Sequence, residues 1–237
     1  MKEEKWDRED WQIDASLAVG QVGEFFRRSD ESFPGTPYLV PCPIRTAAWK
    51  AHFAGKPTIG IAWTGGMPRT NARNRKLTLK QLLPVLEQPA RFVSLQYKDA
   101  SDEIEAFRAE FPDIDLVQYP WATLTFDYDD TAALIASCDA VICMQTACAH
   151  TAGGLGVPVT VLVPKATSWR YGLTGETIPW YHSMRVIRQS QDGEWKDEID
   201  HAASGLAVYL GKLPGAAAGT SLPGRIRRNG GSLRPAG

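Results

Sequence analysis

The sequence predicts an α/β protein built on a single doubly wound parallel sheet of six strands. Short apolar runs rich in Val and Ile alternate with helical segments, a pattern typical of parallel strands that are covered on both faces. Right-handed crossovers between such strands favour the Rossmann-like order 3-2-1-4-5-6. The 237 residues contain no GxGxxG fingerprint, Walker loop or HExxH motif.

The stretch from Asp139 to Pro164 forms the clearest βαβ unit. Apolar runs at Ala140 to Met144 and Val157 to Val163 flank a helix of small residues from Thr146 to Leu155, with Thr146 as the N-cap candidate. The small residues predict that this helix lies close to the sheet. Three glycines are expected to end it: Gly153, Gly154 and Gly156.

The other elements follow from the same patterns. Four further strands are expected at Thr58 to Trp63, Arg91 to Gln96, Ile114 to Gln118 and Met184 to Ile187. An amphipathic segment is expected at Ala15 to Arg28. Helices are expected at Thr46 to Phe53, Thr78 to Glu87, Ser101 to Glu110, Asp129 to Ser137 (with Asp129 and Asp130 at its capped start) and Glu194 to Leu210. The proline-rich segment from Ser32 to Arg45 is expected to be extended.

These elements divide the chain into three parts. Residues 1–55 are expected to form a helical and extended connector, and residues 56–212 the Rossmann-like domain. Residues 213–237 are expected to be disordered, because they carry few apolar groups to offset the entropy of ordering. The formal net charge of −1 implies no attraction to nucleic acid or to an anionic membrane. Apolar runs of strand length and the lack of a basic-then-apolar leader predict a cytoplasmic protein without a transmembrane segment.

The cysteines Cys138, Cys143 and Cys148 are spaced by five residues and therefore suggest a metal site. However, Cys138 is expected at the end of a helix, Cys143 inside a strand and Cys148 on the next helix. No CxxC pair or histidine lies at ligand spacing. Reduced, buried thiols are the better interpretation, and no metal site is expected.

A phosphate site is expected where the order of the strands reverses. The loops after strands one and four meet there, and such switch points bind ligands. The first loop contains Gly65 and Gly66 and leads into a run of arginines, while the second is the amino end of the helix at Thr146. Helix N–H groups and guanidinium groups both bind phosphate. The alternatives are a purely structural helix and a solvated charge run, the latter including Arg69, Arg73, Arg75 and Lys76.

Several sequence pieces occur in one order that resembles a known family. They are IGIAWTGG, NRKLTLKQLLPVL, RFVSLQY, DDTAALIASCDAVICMQTACAHTAGGLGVPVTVLVP, SWRYG and PWYHSMRVIRQ. Together they resemble the C-terminal, donor-binding domain of heptosyltransferase-like glycosyltransferases, including forms fused to tetratricopeptide repeats. The resemblance spans about Pro37 to Leu210. It implies one half of a GT-B fold that binds a nucleotide-diphosphate sugar as substrate, with no cofactor.

The resemblance also implies a set of donor-binding residues. Gly65 and Gly66 would lie against the diphosphate, and Arg75, with Lys76 beside it, would bind phosphate. Further contacts would come from the turn Gln145, Thr146 and Ala147, from His150 one turn later, and from Trp169 and Arg170 after strand five. From its position at the end of strand two, Gln96 is placed to contact the nucleoside. His150 could equally be a core histidine, Trp169 a cover for the sheet edge, and Asp129 and Asp130 either caps or contacts to a donor hydroxyl.

Two departures from the family limit what the resemblance implies. The heptosyltransferases carry an acid where Gln145 stands, so a carboxylate role is lost there, although an amide can still bind a hydroxyl. The acceptor half, which carries the general base, is not recognisable, so the catalytic residues are unknown and a partner domain or chain is expected to supply that half. The resemblance therefore implies a glycosyltransferase donor domain, inverting and metal-independent as in that family; the alternative is a non-catalytic nucleotide-sugar binding module. An NAD-dependent enzyme is a third hypothesis. It would need an acidic residue at the end of strand two to bind the ribose, and the sequence has Gln96 there.

Overall fold

The computed structural model describes residues 12, 14–66, 75–125 and 127–213. The predictions for the tail from residue 214 onward, for most of the first 13 residues, and for Arg69 and Arg73 lie outside the described residues.

Six parallel strands form one sheet in the order β3-β2-β1-β4-β5-β6, which confirms the predicted fold class and strand order. The strands are β1 (Thr58–Ala62), β2 (Arg91–Ser94), β3 (Leu116–Gln118), β4 (Ala140–Met144), β5 (Val159–Val163) and β6 (Met184–Arg188). Every residue of β1 and of β4 is buried, because both strands lie in the middle of the sheet and are covered on both faces.

Helices connect the strands and cover both faces of the sheet. They are α1 (Gly23–Phe26), α2 (Pro43–Phe53), α3 (Leu83–Leu86), α4 (Ser101–Glu110), α5 (Pro120–Thr123), α6 (Tyr128–Ile135), α7 (Ala147–Leu155) and α8 (Lys196–Leu210). Side chains such as Ile61 and Ile199 form the core beneath α3, α4 and α8. Val141 and Ala149 belong to the core on the other face, beneath α2, α5, α6 and α7. Within the described residues, no helix is both long enough and apolar enough to cross a bilayer.

The start of α6 differs from the prediction. Asp127, not Asp129, occupies the N-cap position, and its side chain accepts the Asp129 N–H at 3.1 Å. Asp129 and Asp130 lie in the first turn, where their negative charges interact favourably with the positive end of the helix dipole. Arg45 pairs with Asp127 at 2.7 Å and with Asp130 at 3.0 Å, and the hydrogen bond from Arg45 lowers the pKa of Asp127.

Three predictions from local patterns fail around the sheet. The segment from Ala15 to Arg28, expected to be amphipathic, contains a 3₁₀ turn (Val19–Gln21) and α1, and it does not bury an apolar face, since Phe25 and Phe26 are exposed. The predicted helix from Thr78 to Glu87 is regular only at Leu83–Leu86, and turns occupy residues 79–82 before it. The extended connector ends earlier than predicted, since Pro43 takes the first helical position of α2, where its missing N–H costs nothing.

The small residues of α7 serve two different neighbours. Ala149 and Ala152 are completely buried against the sheet, as the composition of the helix predicts. Gly154 instead faces the connector, since a Cβ there would lie 2.8 Å from Leu39 Cδ1. The helix ends at Gly156, whose φ of 76° is a left-handed conformation that glycine adopts without strain. The predicted closing role therefore belongs to Gly156, while Gly153 and Gly154 lie inside the helix.

Candidate functional site

The candidate site lies at the carboxyl edge of the sheet, between the two central strands. Parallel pairing places Ala62 of β1 beside Cys143 of β4, so the segments that follow these strands leave the sheet as neighbours. From β1 the sheet continues outward on one side through β2 and β3, and from β4 it continues on the other side through β5 and β6. This reversal is the topological switch point at which open α/β sheets bind ligands.

The loop after β1 folds back on itself and brings two basic residues to the switch point. Thr64 and Lys76 form an isolated antiparallel bridge, and Gly65 N–H donates to the Arg75 carbonyl oxygen at 2.9 Å. The Arg75 guanidinium lies against Gly66, where a Cβ would come within 2.1 Å of Arg75 Nη2. Gly66 also has a φ of 86°, a left-handed conformation. Arg75 is half-buried and Lys76 is exposed.

Gln96 supports this loop from the end of β2. Its Oε1 accepts the Thr64 N–H at 3.4 Å, and its Nε2 donates to Thr64 Oγ1. Gln96 is buried, with a relative exposure of 3%. Both polar atoms of Gln96 therefore hold Thr64 in place. Contact between Gln96 and a nucleoside stays a prediction.

The start of α7 is the second part of the site. Thr146 has extended dihedral angles (φ −133°, ψ 176°) at the N-cap position, as predicted, but its side chain makes no capping hydrogen bond. Ala147, the first helical residue, is exposed. The helix therefore presents its amino end, with its first backbone N–H groups, toward the carboxyl edge of the sheet.

Gln145 links the start of α7 to the segment after β5. This buried side chain accepts hydrogen bonds through Oε1 from Thr167 Oγ1 at 3.1 Å and from Ser168 N–H at 3.3 Å. Oε1 therefore has both of its acceptor positions occupied by the protein. The amide nitrogen of Gln145 remains as the group that can donate a hydrogen bond to a ligand.

His150 lies on α7 beside two tyrosine rings. Its Nε2 and the Tyr171 hydroxyl are 3.2 Å apart, and its ring centroid is 5.8 Å from that of Tyr181. Burial lowers the pKa of His150, and the nearby positive charge of Arg170 lowers it further. Both effects favour the neutral imidazole, which can donate through one nitrogen and accept through the other.

Trp169 and Arg170 lie on a 3₁₀ turn (Trp169–Tyr171) at the rim of the site. The Trp169 side chain is 71% exposed, and Arg170 Cζ lies 4.9 Å from its ring centroid, within the range of a cation–π contact. An edge contact to Trp180, with centroids 6.3 Å apart, holds one side of the Trp169 ring.

Arg188 of β6 fixes the end of this turn. Its guanidinium donates to the carbonyl oxygens of Gly175 at 2.7 Å, Thr174 at 2.8 Å and Gly172 at 3.1 Å, and also to that of Tyr171. The planar group thus satisfies four carbonyls of a segment that has no regular secondary structure after residue 171. The sequence alone gave no sign of this arrangement.

The connector, the starts of α6 and α7, and the 3₁₀ turn after β5 surround an open cleft of about 510 Å³. Five of the predicted site residues line it: Gln145, Thr146, Ala147, His150 and Arg170. The other six lie outside its lining: Gly65, Gly66, Arg75 and Lys76 on the β1 loop, Gln96 behind that loop, and Trp169 on the outer turn. The predicted set therefore falls on two adjacent surfaces that share Thr146, because Gly65 packs directly against Thr146 Cγ2.

Six residues that line the cleft were not anticipated: Tyr38, Leu39, Tyr128, Thr151, Ser168 and Tyr171. Tyr38 and Leu39 reach the cleft because their backbone N–H groups both donate to the Gly154 carbonyl oxygen at 2.9 Å. The connector is further held where the rings of Phe33 and Trp180 meet edge to face, with centroids 4.7 Å apart. The start of the family resemblance near Pro37 was the one sequence signal that pointed to this segment.

The cysteines are free thiols. Cys138, Cys143 and Cys148 are buried, and burial raises the pKa of Cys138 to about 12 and that of Cys148 to about 11. Cys138 lies beyond α6, which ends at Ile135, rather than at its last residue. In the part of the chain that the structure describes, no group of three or more His, Cys, Asp or Glu side chains is arranged to hold a metal ion.

Two solved structures share the fold. Heptosyltransferase II for ADP-heptose and lipopolysaccharide from E. coli superposes with a TM-score of 0.52 at 16% identity, over 79% of this chain and 59% of that one. A glycosyl transferase family 9 protein from Veillonella parvula gives a TM-score of 0.52 at 13% identity, over 80% and 58%. The chain has the fold of one half of a GT-B glycosyltransferase.

Sequence comparison adds one curated relative. Protein FlbA from Caulobacter vibrioides is 35% identical over 212 residues, which is 87% of this chain and 34% of that protein. No protein-family model matches the sequence. The chain thus spans about a third of this relative and under two thirds of the two solved structures.

Proposed function

We propose that this chain binds the nucleoside diphosphate portion of a nucleotide-sugar donor and serves as the donor half of a glycosyltransferase. The observation that carries the proposal is the direct contact of the Gly65 loop with Thr146 at the start of α7. This contact joins two phosphate-binding features at the switch point: a glycine loop with basic residues and a helix amino end. The fold shared with two glycosyltransferases supports the same assignment.

Charge around the start of α7 suits a diphosphate. Arg75 and Lys76 lie on the β1 side, and Arg170 lies on the cleft side. Two carboxylates at the start of α6, Asp127 and Asp130, are paired with Arg45, which offsets their negative charge. Helix N–H groups and a guanidinium fork can therefore share the phosphate oxygens.

The same groups would assist the transfer step. The acceptor oxygen forms a bond to the anomeric carbon as the bond from that carbon to the diphosphate breaks, and the acceptor proton passes to a general base. Negative charge grows on the departing diphosphate, where the α7 N–H groups and Arg75 stabilise it. Gln145, lacking a carboxylate, acts by donating a hydrogen bond from its amide nitrogen.

In this proposal a second domain or a partner chain supplies the acceptor site and the general base. The fold described here corresponds to 59% of the E. coli structure and 58% of the Veillonella parvula structure, which leaves a large part of each without a counterpart. Transfer, and not binding, therefore depends on that other half.

A thermal-shift panel followed by calorimetry tests the proposal. ADP, UDP, GDP, CDP and their common sugar conjugates are each added to the parent chain, with the matching nucleoside monophosphates as controls. We expect one base series to raise the melting temperature, and the diphosphates to do so more than the monophosphates. Binding without transfer, even with the partner half added, would instead support a non-catalytic nucleotide-sugar module. A panel in which no nucleotide binds would refute both.

A further inference from the structure

Three consecutive residues at the end of β2 contact both parts of the candidate site. The Leu95 carbonyl oxygen accepts a hydrogen bond from Cys148 Sγ of α7 at 3.4 Å. The Gln96 side chain binds the β1 loop, and the Tyr97 hydroxyl donates to the Gly66 carbonyl oxygen of that loop at 3.4 Å. The end of β2 therefore supports the loop and the helix start together.

Gln96 is the buried side chain of this segment. Its Oε1 accepts the Thr64 N–H, and its Nε2 donates to Thr64 Oγ1, so the oxygen and the nitrogen both bind one residue. An amide that contacts both the backbone and the side chain of one neighbour fixes the position of that neighbour. Removing the amide would leave the Thr64 N–H without this acceptor and the Thr64 hydroxyl without this donor.

Thr64 is the point from which the β1 loop turns back toward α7. It forms an antiparallel bridge with Lys76, and the next residue, Gly65, donates its N–H to the Arg75 carbonyl oxygen at 2.9 Å. Gly65 also packs against Thr146 at the start of α7. A displacement of Thr64 would therefore move both the glycine loop and the backbone of Arg75 relative to the helix start.

We infer that Gln96 is a positioning residue of the diphosphate site, which acts through Thr64 and makes no contact with the ligand itself. This inference rests on the proposed function. A loop that is already held in its binding conformation loses less conformational entropy when a ligand binds. Gln96 would thus raise the affinity for diphosphate by keeping the β1 loop against α7 before the ligand arrives.

The competing assignment is the contact between Gln96 and the nucleoside that its position at the end of strand two predicts. The two roles differ in which part of the ligand they affect. A residue that contacts the nucleoside has no effect on a ligand that lacks one. A residue that positions the phosphate-binding loop affects every diphosphate equally, whatever base it carries.

Calorimetry with nucleoside diphosphates and with inorganic pyrophosphate distinguishes these roles. Gln96→Met removes both hydrogen bonds and keeps an unbranched side chain of similar length. We expect it to weaken binding of each of ADP, UDP, GDP and CDP that the parent binds by about tenfold, the value of one displaced hydrogen bond to a charged group. Pyrophosphate, which has no nucleoside, should lose affinity by the same factor.

Variants of the partner residue test the contact from its other side. Thr64→Val removes the hydroxyl that accepts from Gln96 Nε2 and should reproduce part of the loss. Thr64→Ser keeps that hydroxyl and should bind diphosphate like the parent. Because Gln96 is intact in both variants, a difference between them reports the contact and not the glutamine alone.

Gln189 provides the matched control. It is a second buried glutamine whose Oε1 accepts the Lys165 N–H at 3.2 Å and whose Nε2 donates to the Glu194 carbonyl oxygen at 3.0 Å. Gln189→Met should lower the melting temperature as Gln96→Met does, but leave diphosphate affinity unchanged. Combining Gln96→Met with Arg75→Ala should cost less than the product of the two single effects, because both variants weaken the same loop.

The outcomes separate this inference from the function on which it rests. If Gln96→Met and Thr64→Val both bind diphosphate like the parent, the contact has no part in binding, although the proposed function stands. If Gln96→Met weakens nucleotides but not pyrophosphate, Gln96 contacts the nucleoside and the inference is wrong. An equal loss in Gln189→Met would assign the effect to general destabilisation. Failure of the parent to bind any nucleotide overturns the proposed function itself.

Discussion

A Cβ atom at Gly65 would lie 2.6 Å from Thr146 Cγ2, so the loop after β1 and the start of α7 meet with no room for a side chain. Gly65 is buried, and the Gln145 carbonyl oxygen closes the same space at 3.5 Å. The close approach makes one surface from Gly65 and Thr146, which are 81 positions apart in the chain.

Gly65→Ala should therefore destabilise the fold by about 1–3 kcal/mol, the cost of overpacking a buried contact. Urea unfolding of the parent and the variant measures the change. The double variant Gly65→Ala with Thr146→Ser removes the opposing methyl group and should recover part of the loss. If Gly65→Ala is as stable as the parent, the two segments separate more easily than their contact suggests.

Gly154→Leu should also destabilise the protein by about 1–3 kcal/mol, but through the connector rather than the sheet. A side chain there would push against Leu39 and Tyr38. Gly205 on α8 is the matched control, since a Cβ would meet only Arg185 Nη1, at 3.6 Å. Gly205→Ala should stabilise the helix by about 0.5–1 kcal/mol. Equal unfolding midpoints for parent and Gly154→Leu would show that the connector moves aside without cost.

Arg75→Ala should weaken binding of the nucleoside diphosphate by about 1.5–3 kcal/mol, the range for hydrogen bonds to charged groups. Arg75→Lys should recover part of this, because an ammonium group cannot form the forked contact. Thr146→Ala should cost less, since backbone N–H groups supply most of that turn's contribution. Arg108→Ala is the control, on an exposed arginine of α4. Parent-like affinity of Arg75→Ala in calorimetry would remove this arginine from the site.

His150 should remain neutral at pH values where an exposed histidine begins to take up a proton. Its pKa is lowered in the folded protein, so the unfolded chain binds the proton first as the pH falls below about 6.5. The contribution of His150 to stability is therefore complete above that pH and is lost as the pH falls through its folded pKa. Ring NMR signals of His150 measure this pKa directly.

The variant Arg170→Ala isolates the electrostatic part of this shift. Removing the guanidinium should move the pKa of His150 upward, toward its usual value, while burial keeps it lowered. Arg108→Ala serves again as the distant control. An unchanged titration in Arg170→Ala would assign the whole shift to burial.

The sheet could be predicted from sequence because its signals are local. Continuous apolar runs marked β1 and β4, and small residues marked α7, since each pattern reflects burial of the element that carries it. The cap of α6 was misplaced by two residues because Asp127, Asp129 and Asp130 are chemically equivalent candidates, and only the backbone conformation distinguishes them.

The candidate site could be predicted only in part, for a related reason. Glycines, basic residues and a helix start are visible in sequence, so the β1 loop and the start of α7 were expected. The roles of Tyr38 and Arg188 depend on contacts with Gly154 and with the segment from Tyr171 to Gly175, which are distant in sequence. No periodicity records such contacts.

The docking of the connector on α7 makes the cleft and the connector thermodynamically coupled. The amide protons of Tyr38 and Leu39 are held by one carbonyl, that of Gly154, and the same two residues line the cleft. Any ligand that gains affinity from that lining must raise the free energy of opening the connector by the same amount, because coupling between two equilibria is reciprocal. Hydrogen exchange at those two amides would thus slow as the cleft fills, and the connector would report occupancy of a site whose other lining residues begin at Tyr128.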